Sequence, residues 1–286
     1  MDLRIDGARR VLRPLIDHPE TKLTMNRSIT VAIALAVLCL SAAAQPNQLS
    51  VSVSPNPAPL GATITVTAYD AYGQGLFTPF GCLISGIYDA PNGNSVALFP
   101  CTFLPGSIPP CGSTQPPRMQ QWNQTTMAGP ATPGTYWIEI QHSLGMFAPI
   151  NSEWFCVKIV DPLSPGPSLS ALNAPTVGTT FNMGISWPSE PGAGYFLALS
   201  GSSNTGIAIP GGIQACLDMD IWFQLSLQGF PLFQNFIGGL DGTGSATASI
   251  VLPALPALQC VPFHGQAVVL GAAGTEVTND LLFTIN

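Results

Sequence analysis

The stretch LSVSVSPNPAPLGATITVTAYD, from Leu49 to Asp70, decides the fold class. Leu49–Ser54 and Ala62–Asp70 alternate apolar or small residues with hydroxyl residues, which is the two-residue period of a strand with one face in a core. The intervening Pro55–Gly61 cannot be helical, because each proline lacks a backbone donor and restricts the residue before it. The stretch therefore predicts a strand, a turn and a second strand.

Short runs of the same kind continue to the end of the chain, separated by Gly, Pro, Asn and Asp. The strands predicted in the first half are Cys82–Asp89, Ser95–Phe99, Met119–Gln124, Thr135–Gln141 and Trp154–Val160. Those predicted in the second half are Thr179–Trp187, Tyr195–Ser200, Ile221–Leu227, Ser245–Leu252, Gln266–Leu270 and Leu281–Ile285. No segment combines apolar residues at i, i+3, i+4 and i+7 with capping residues. We therefore expect an all-β protein with very little helix, arranged most simply as two tandem antiparallel β-sandwiches of immunoglobulin-like architecture.

The N-terminal part is typical of an export signal. Met25–Ala44 has a short polar start with one arginine, an apolar run from Ile29 to Leu40 and a small-residue site at its end. We interpret residues 1–24 as an upstream extension from a misplaced start, and we expect a mature protein that begins at Gln45 and is secreted or held at the cell surface. No later segment approaches the ~20 apolar residues that a spanning helix needs, so no membrane span is expected.

A proline-rich run, DPLSPGP at 161–167, separates the two halves of the chain. Such a run favours a stiff, extended spacer. The predicted plan is a first β-sandwich over 45–160, a linker over 161–174 and a second β-sandwich over 175–286.

Basic residues are scarce after the signal. Only Arg118 and Lys158 remain against eleven Asp or Glu, a formal charge of 2 − 11 = −9. This argues against a nucleic-acid partner, because a phosphate backbone is bound by clusters of Lys and Arg. The same shortage argues against docking on anionic lipid.

Of the seven cysteines, one lies in the signal and an even number follow, which predicts disulfides in an oxidising compartment. Cys101 and Cys111 lie in a loop rich in Pro, Gly and Ser between Pro100 and Pro117, so we expect them to pair. Cys82 would then pair with Cys156, which is one of the three connectivities that four cysteines allow.

Cys216 and Cys260 are the only cysteines beyond the linker, which predicts a third disulfide inside the C-terminal half. No Cys-x-x-Cys pair follows the signal, so zinc binding and thioredoxin-like redox chemistry are not expected.

Several motifs of the first half carry a resemblance. Ser54-Pro55-Asn56-Pro57 and Gly61 precede the strand Thr63–Thr67, and Trp122 is followed by Pro133-Gly134-Thr135-Tyr136 at the start of a late strand. With these features the region from Leu49 to Val160 resembles bacterial immunoglobulin-like or fibronectin-III-like modules of cell-envelope proteins. The resemblance implies a β-sandwich located outside the cytoplasm.

The second half, from Pro175 to Asn286, is similar to an uncharacterised C-terminal β-sandwich of secreted bacterial multi-domain proteins. The matching features are Gly178-Thr179, Leu217-Asp218, Leu240-Asp241-Gly242-Thr243-Gly244, Gln266-Ala267-Val268-Val269 and Thr278-Asn279-Asp280-Leu281. This resemblance implies placement outside the cell and transfers no catalytic residue.

No catalytic motif is present. After the signal the only imidazoles are His142 and His264, and there is neither a Gly-x-Ser-x-Gly elbow nor a His-Glu-x-x-His motif. His142 ends a predicted strand and His264 lies in a Pro-Phe-His-Gly sequence, so we interpret both as surface or turn residues. No catalytic residue and no cofactor are predicted.

Asp218, Asp220 and Asp241 could approach one another as glycosidase carboxylates or as calcium ligands. Asp218 and Asp241 stand where strands begin and turns close, positions that Asp takes because its side chain bonds the local backbone. The Asp-x-Asp of Asp218 and Asp220 lacks the Gly and the distal Glu of a calcium loop. We therefore predict no metal site, with calcium as the alternative.

Trp137 and Trp154 are the candidate binding residues. Alternation in Tyr136–Gln141 and in Trp154–Ile159 turns both indoles, with Lys158, away from the core. If the two strands form a hairpin, the indoles share one outer face. Such a face either binds sugar rings or is covered by the second domain or the cysteine-rich loop, and the short linker favours covering.

The sequence therefore predicts a secreted, non-enzymatic β-protein that acts as a structural or adhesive component of the cell envelope or extracellular space. The alternative is a carbohydrate-binding or enzyme-accessory module, and a secreted hydrolase is less favoured. The candidate partners are cell-surface or matrix polysaccharides and other envelope proteins. The sequence predicts no oligomeric state.

Overall fold

The computed structural model describes residues 49–70, 84–91, 93, 95–97, 102–108, 118–142 and 151–286. The predicted upstream extension and signal peptide lie outside these residues, as do Cys82, Cys101 and Cys111. The described residues belong to one compact unit.

Strands dominate the described residues. Those before residue 161 are β1 (Leu49–Ser54), β2 (Ala58–Pro59), β3 (Thr63–Asp70), β4 (Ile84–Tyr88), β5 (Ser95–Ala97), β6 (Thr102–Ile108), β7 (Arg118–Ala128), β8 (Gly134–His142) and β9 (Asn151–Val160). Those after it are β10 (Ser168–Ala171), β11 (Thr180–Ser186), β12 (Gly194–Ser200), β13 (Ile207–Ile209), β14 (Ile213–Ala215), β15 (Phe233–Gln234), β16 (Ile237–Gly239), β17 (Ser245–Val251), β18 (Pro262–Gly271), β19 (Gly274–Val277) and β20 (Leu281–Thr284). The helical elements of the described chain are one α-helix, α1 (Ile221–Leu227), and a 3-10 turn at Pro256–Leu258. The all-β prediction is confirmed.

Strands β1 to β9 make up the first sheet group. One sheet has the order β1-β3-β7-β6 and the other β2-β9-β8-β4-β5, with β2 parallel to β9 and the other pairs antiparallel. Apolar side chains from both sheets, including Ile64, Val66, Ile87, Ile138 and Val157, form one buried cluster. The alternation seen in the sequence therefore places one face of each sheet in a shared core.

Strands β10 to β20 and helix α1 make up the second sheet group. Its sheets have the orders β10-β11-β17-β15 and β16-β12-β18-β19, with β20 also paired to β18, and β13-β14 form a separate hairpin. Aromatic rings connect these layers. The ring centroids of Phe181 in β11 and Phe283 in β20 are 4.6 Å apart, and those of Trp222 in α1 and Phe263 in β18 are 4.7 Å apart. No sheet of the described residues combines strands from the two groups.

The predicted strand at Ile221–Leu227 is wrong, because this segment is helix α1. The Asp220 carboxylate accepts a hydrogen bond of 2.9 Å from the Phe223 backbone N–H, which is N-capping. Trp222 and Ser226, four residues apart, are the buried side chains of the helix. A helix of two turns buries too few positions to show a clear helical period in the sequence.

Two loop predictions also need correction. Residues 102–108, inside the expected loop from Pro100 to Pro117, form β6 against β7. Ser168–Ala171, inside the expected linker 161–174, form β10. The remaining run is not a simple extended spacer, since Ser164 N–H donates to the Asp161 carbonyl and closes a turn.

Candidate functional site

The residues that form the disulfide, the ion pair and the side-chain hydrogen bonds between the two sheet groups lie where these groups meet. We call this contact the junction, and it is formed by Asn56, Trp154, Cys156 and Lys158 of the first group and Ser203, Asn204, Cys216, Glu276, Val277 and Asp280 of the second.

The predicted tryptophan pair lies in the junction. Strands β8 and β9 are paired with Trp137 opposite Cys156, and both indoles belong to one buried cluster with Cys156 and Cys216. Trp137 is 1% and Trp154 6% exposed, and the Tyr88 ring meets Trp154 edge-on at 5.0 Å. The indoles do leave the core of the first group, but the second group covers them. Neither presents an exposed platform to a sugar ring.

The disulfide of the junction joins Cys156 to Cys216, with a Cα–Cα distance of 6.1 Å. The predicted pairings of Cys82 with Cys156 and of Cys216 with Cys260 are therefore wrong. Both predictions assumed that each disulfide joins two cysteines on the same side of the linker. Cys156 instead lies on the outer face of β9, which packs against the second group, and this packing brings it to Cys216.

Cys260 is also disulfide-bonded. Because Cys156 and Cys216 pair with each other, the partner of Cys260 lies outside the described residues. The predicted bond between Cys101 and Cys111 also falls outside them and stays a prediction.

Backbone groups of β9 are bound by side chains of the second group. Trp154 N–H donates to Asn204 Oδ1 at 3.1 Å, and the Ser203 hydroxyl donates to the Trp154 carbonyl. In the opposite direction, Asn56 of the first group donates from Nδ2 to the Asp280 carbonyl at 2.9 Å. These bonds satisfy polar groups that would otherwise be buried without partners.

Lys158 is the cation of the junction. Its Nζ donates to the carbonyl oxygens of Pro167, at 3.2 Å, and Val277, and lies 3.7 Å from Glu276 Oε2. Its backbone N–H donates to Asn56 Oδ1. Burial lowers the pKa of Lys158 to about 8, although the Glu276 carboxylate acts in the opposite direction.

His264 is buried in β18 and not in a turn, which corrects the interpretation of it as a surface or turn residue. Its Nδ1 lies 2.7 Å from Asp280 Oδ2, and its ring centroid lies 5.9 Å from that of Phe155. Burial by itself would lower the pKa of His264, but the charge and hydrogen bond of Asp280, helped by Asp218 and Glu153, raise it.

A histidine held by an aspartate forms two parts of a nucleophilic catalytic site. Among the described residues, no Ser, Thr or Cys side chain forms a hydrogen bond with the His264 ring. The other predicted imidazole, His142, ends β8, and its side chain lies outside the described residues. The pair therefore provides charge and orientation but no described nucleophile.

A cleft of about 160 Å³ is lined in part by Asp280, while His264 is not among its lining residues. Its walls come from both groups: Val51, Ser52, Val53, Asn56, Phe155 and Cys156, and Asn279, Asp280, Leu281 and Leu282. Asp280 Oδ1 is buried and has no hydrogen-bond partner among the described residues. Sequence reasoning missed this site, since its parts are far apart in the chain and each looks ordinary in isolation.

Asp218 organises the loop that precedes it. Its carboxylate accepts hydrogen bonds from the backbone N–H groups of Asn204, Thr205 and Gly206 and from the hydroxyls of Ser202 and Thr205. Burial raises the pKa of Asp218, but these hydrogen bonds outweigh it and the net shift is downward. The carboxylate is thus already occupied by its own loop.

The other two candidate carboxylates also bond locally. Asp220 caps α1 through Phe223 and accepts from the Gly201 N–H at 2.6 Å. Asp241 accepts from the hydroxyl and N–H of Thr243, and these bonds lower its pKa. Within the described residues, no group of three or more His, Cys, Asp or Glu is arranged to hold a metal ion.

No protein-family model matches the chain, and no curated protein matches it. Among solved structures it is similar to dimeric latent PorU from Porphyromonas gingivalis, with a TM-score of 0.27 and 10% identity over 86% of this chain and 21% of that one. It is also similar to Salmonella alpha-2-macroglobulin reacted with methylamine (TM-score 0.24, 14% identity, 83% of this chain and 15% of that one). Trypsin-activated alpha-2-macroglobulin from Escherichia coli gives a TM-score of 0.25 and 12% identity over 83% and 15%.

The chain thus spans about a fifth or less of the length of these proteins. Likenesses this weak carry no argument about function. In the part of the chain that the structure describes, no helix has the length and apolar character needed to cross a membrane.

Proposed function

We propose that this protein is a secreted, non-enzymatic structural component of the cell envelope or extracellular space. In this proposal its two sheet groups are tandem β-sandwiches of immunoglobulin-like architecture that are held in one fixed arrangement. The observation that carries it is the junction, where a disulfide, a buried tryptophan pair and a half-buried lysine act together.

Contacts between neighbouring domains usually allow relative motion unless the interface is large and apolar. Here the cluster around Trp137 and Trp154 supplies apolar burial, and the bond from Cys156 to Cys216 prevents separation. A fixed arrangement of the two sheet groups suits a structural protein that holds other envelope components at a set distance. A disulfide is also typical of proteins in oxidising compartments.

The described polar groups support a structural role more than a catalytic one. Asp218 and Asp241 bond their own loops, and Lys158 donates to the Val277 carbonyl across the junction. Side chains with these partners hold a fold in place. None of them is left free to take or give a proton to a substrate.

Cell fractionation with N-terminal sequencing tests the proposal. The expected result is a protein that begins at or near Gln45 and partitions with the envelope or extracellular matrix. Protein that stays in the cytoplasm and begins at Met1 or Met25 would overturn it. Hydrolysis of an envelope polymer by the purified protein would also overturn it, because the role would then be enzymatic.

A further inference from the structure

The sheet that contains β12 and β18 has two edges, and they differ in what lies beside them. At the β19 edge, the Lys158 amine of the first group donates to the Val277 carbonyl and lies 3.7 Å from Glu276 Oε2. At the other edge, no strand of the described residues pairs with the outer side of β16. All three residues of β16 (Ile237–Gly239) are exposed. The first group therefore closes one edge of this sheet, and the other edge is open.

The hydrogen bonds between β12 and β16 determine which backbone groups point outwards. Leu197 N–H donates to the Phe236 carbonyl at 2.7 Å, and this register places Phe236 and Gly238 at the bonded positions. In an antiparallel pair, bonded positions alternate with positions whose backbone groups point away from the neighbouring strand. Ile237 and Gly239 therefore turn both N–H and C=O away from β12, towards the open side.

This edge carries none of the features that usually prevent pairing with another chain. Sheet edges are commonly protected by Lys, Pro or a bulge. The chain from Ile221 to Leu240 contains no Asp, Glu, Lys or Arg, and β16 contains no proline. Because the mature chain is strongly acidic, a second copy meets the least charge repulsion at such an uncharged edge.

Strand β16 is complementary to a second copy of itself. When two β16 strands pair antiparallel about Gly238, Ile237 of each copy stands opposite Gly239 of the other, and these two residues exchange both N–H···O bonds. Gly239 leaves room for the isoleucine, because a Cβ added there would meet only the Ala193 carbonyl oxygen, 3.8 Å away, among the described residues. Gly194 stands opposite Gly239 on β12 and is equally bare. The isoleucine of one copy thus faces the glycines of the other.

Exposed apolar side chains beside β16 share the face of Ile237. Phe196 stands opposite Ile237 across β12, and Leu270 stands opposite Gly194 across β18. Ile237, Phe196 and Leu270 are 54%, 40% and 44% exposed. In a symmetric pair this apolar set adjoins the same set of the second copy, so surface that the single chain leaves in water is partly covered.

We propose that this protein forms a two-fold symmetric dimer in which the β16 strands of two copies pair antiparallel about Gly238 and join their sheets into one. The occupant of the open edge is thus a second copy of this chain. The strand is short and the interface small, so association is weak and depends on protein concentration. The inference does not rest on the structural role proposed above, because it concerns only how copies of the chain associate.

Sedimentation velocity of the mature protein over a wide range of concentration tests the dimer. We expect the mean mass to rise from that of one chain towards twice that value. Ile237→Lys brings two like charges together at the centre of the interface and should weaken dimerisation at least about 10-fold. Leu172→Lys makes the same change at a similarly exposed leucine outside this sheet, 57% against 54%, and should leave dimerisation unchanged.

Gly239 provides a matched pair of variants for the backbone bonds. Gly239→Pro removes the outward N–H, which an edge strand tolerates because that group faces away from its neighbour, and should weaken dimerisation at least about 10-fold. Gly239→Ala keeps the N–H and should stay within about 3-fold of the native sequence. Urea unfolding at low concentration checks that each variant is folded. If Ile237→Lys or Gly239→Pro is unfolded, the other decides.

A native protein that stays monomeric at the highest concentration overturns the proposal. A dimer that persists in both Ile237→Lys and Gly239→Pro also overturns it, because the interface then lies elsewhere. The same holds for equal weakening by the two lysine variants, or by the two variants of Gly239.

Discussion

Two sheet faces of this molecule carry large apolar side chains on the side away from their own core, and only one of them is covered. On β8 and β9, Trp137 and Trp154 are buried under the second group. On β12, β16 and β18, the side chains of Phe196, Ile237 and Leu270 are 40%, 54% and 44% exposed. Phe196 and Ile237 stand directly opposite each other across β12 and β16.

The change from covered to open occurs along a single strand. Residues at every second position of β18 share one face. On that face His264 and Gln266 are 3% and 2% exposed, whereas Leu270 is 44% exposed. Strand alternation thus determines which face of the sheet a side chain lies on. Whether that face is shielded from solvent depends on the neighbouring sheet group. This difference between the covered and the open face can be tested by mutation and by pH.

The largest effect is expected from Trp137→Ala. The indole is completely enclosed, so its removal leaves a cavity and should lower the free energy of unfolding by about 4 kcal/mol. Phe196→Ala on the open face is the matched control and should cost less than about 1 kcal/mol. Urea unfolding of the two mature variants measures both values. Equal losses would mean that the two faces do not differ in burial.

Removing the disulfide should come next. Cys156 and Cys216 are 60 residues apart, and replacing both by Ser should lower stability by about 3 kcal/mol. The loss of unfolding free energy should not add to that of Trp137→Ala, because the disulfide and the indole belong to one cluster and mutations of residues in contact are not independent. It should add to that of Phe196→Ala. Additivity with both variants would contradict a role of the bond in holding the covered face.

His264 gives the covered face a dependence on pH. Its pKa is raised in the folded protein, so its stabilising contribution is complete below the unfolded value of ~6.5 and is lost as the pH rises through the folded value. Stability should therefore fall above about pH 6.5, by at most about 1.4 kcal/mol per pH unit. Chemical unfolding at several pH values should show this fall in the native sequence and not in His264→Gln. A fall that persists in the variant would assign it to another group.

Lys158 should give a smaller effect of opposite sign. Its pKa is about 8 in the folded protein against an ordinary 10.5, so the folded state binds fewer protons between these values. Stability should therefore rise from pH 8 towards 10.5, by less than about 1.4 kcal/mol per pH unit because the amine is partly exposed.

Lys158→Met should remove this rise. Glu276→Gln is the control: it should steepen the rise at its lower end, since Glu276 acts to keep the lysine charged. A flat profile in the native sequence would mean that the amine is solvated and that the junction is open around it.

The sequence predicts the sheet-forming segments well. Period-2 alternation and Pro or Gly breaks identify β1, β3, β8, β11 and β17 to within a few residues, because half-buried strands impose this pattern locally. The same pattern does not predict helix α1. Its seven residues, Ile221–Leu227, are apolar enough to look like a buried strand, and the deciding signal is the capping Asp220.

The junction could not be predicted in the same way. The contacts of Asn56 with Asp280 and of His264 with Asp280, and the pairing of Cys156 with Cys216, depend on how two groups of sheets meet. No local sequence pattern predicts which residues of the two sheet groups come into contact. The side that Trp137 and Trp154 take follows from alternation, while the identity of what covers them does not.

The connectivity of the Cys156–Cys216 bond has a consequence for how the chain is made. A polypeptide appears N-terminus first, and at ~5–20 residues per second the 60 residues between the two thiols take about 3–12 s to follow. During that interval Cys156 has only earlier cysteines within reach, among them Cys82, Cys101 and Cys111. The native bond therefore forms either by late oxidation or by exchange from an earlier, non-native pair, a reshuffling that takes seconds to hours without a catalyst. A dithiol isomerase working alongside synthesis is the kind of helper from which this chain would benefit.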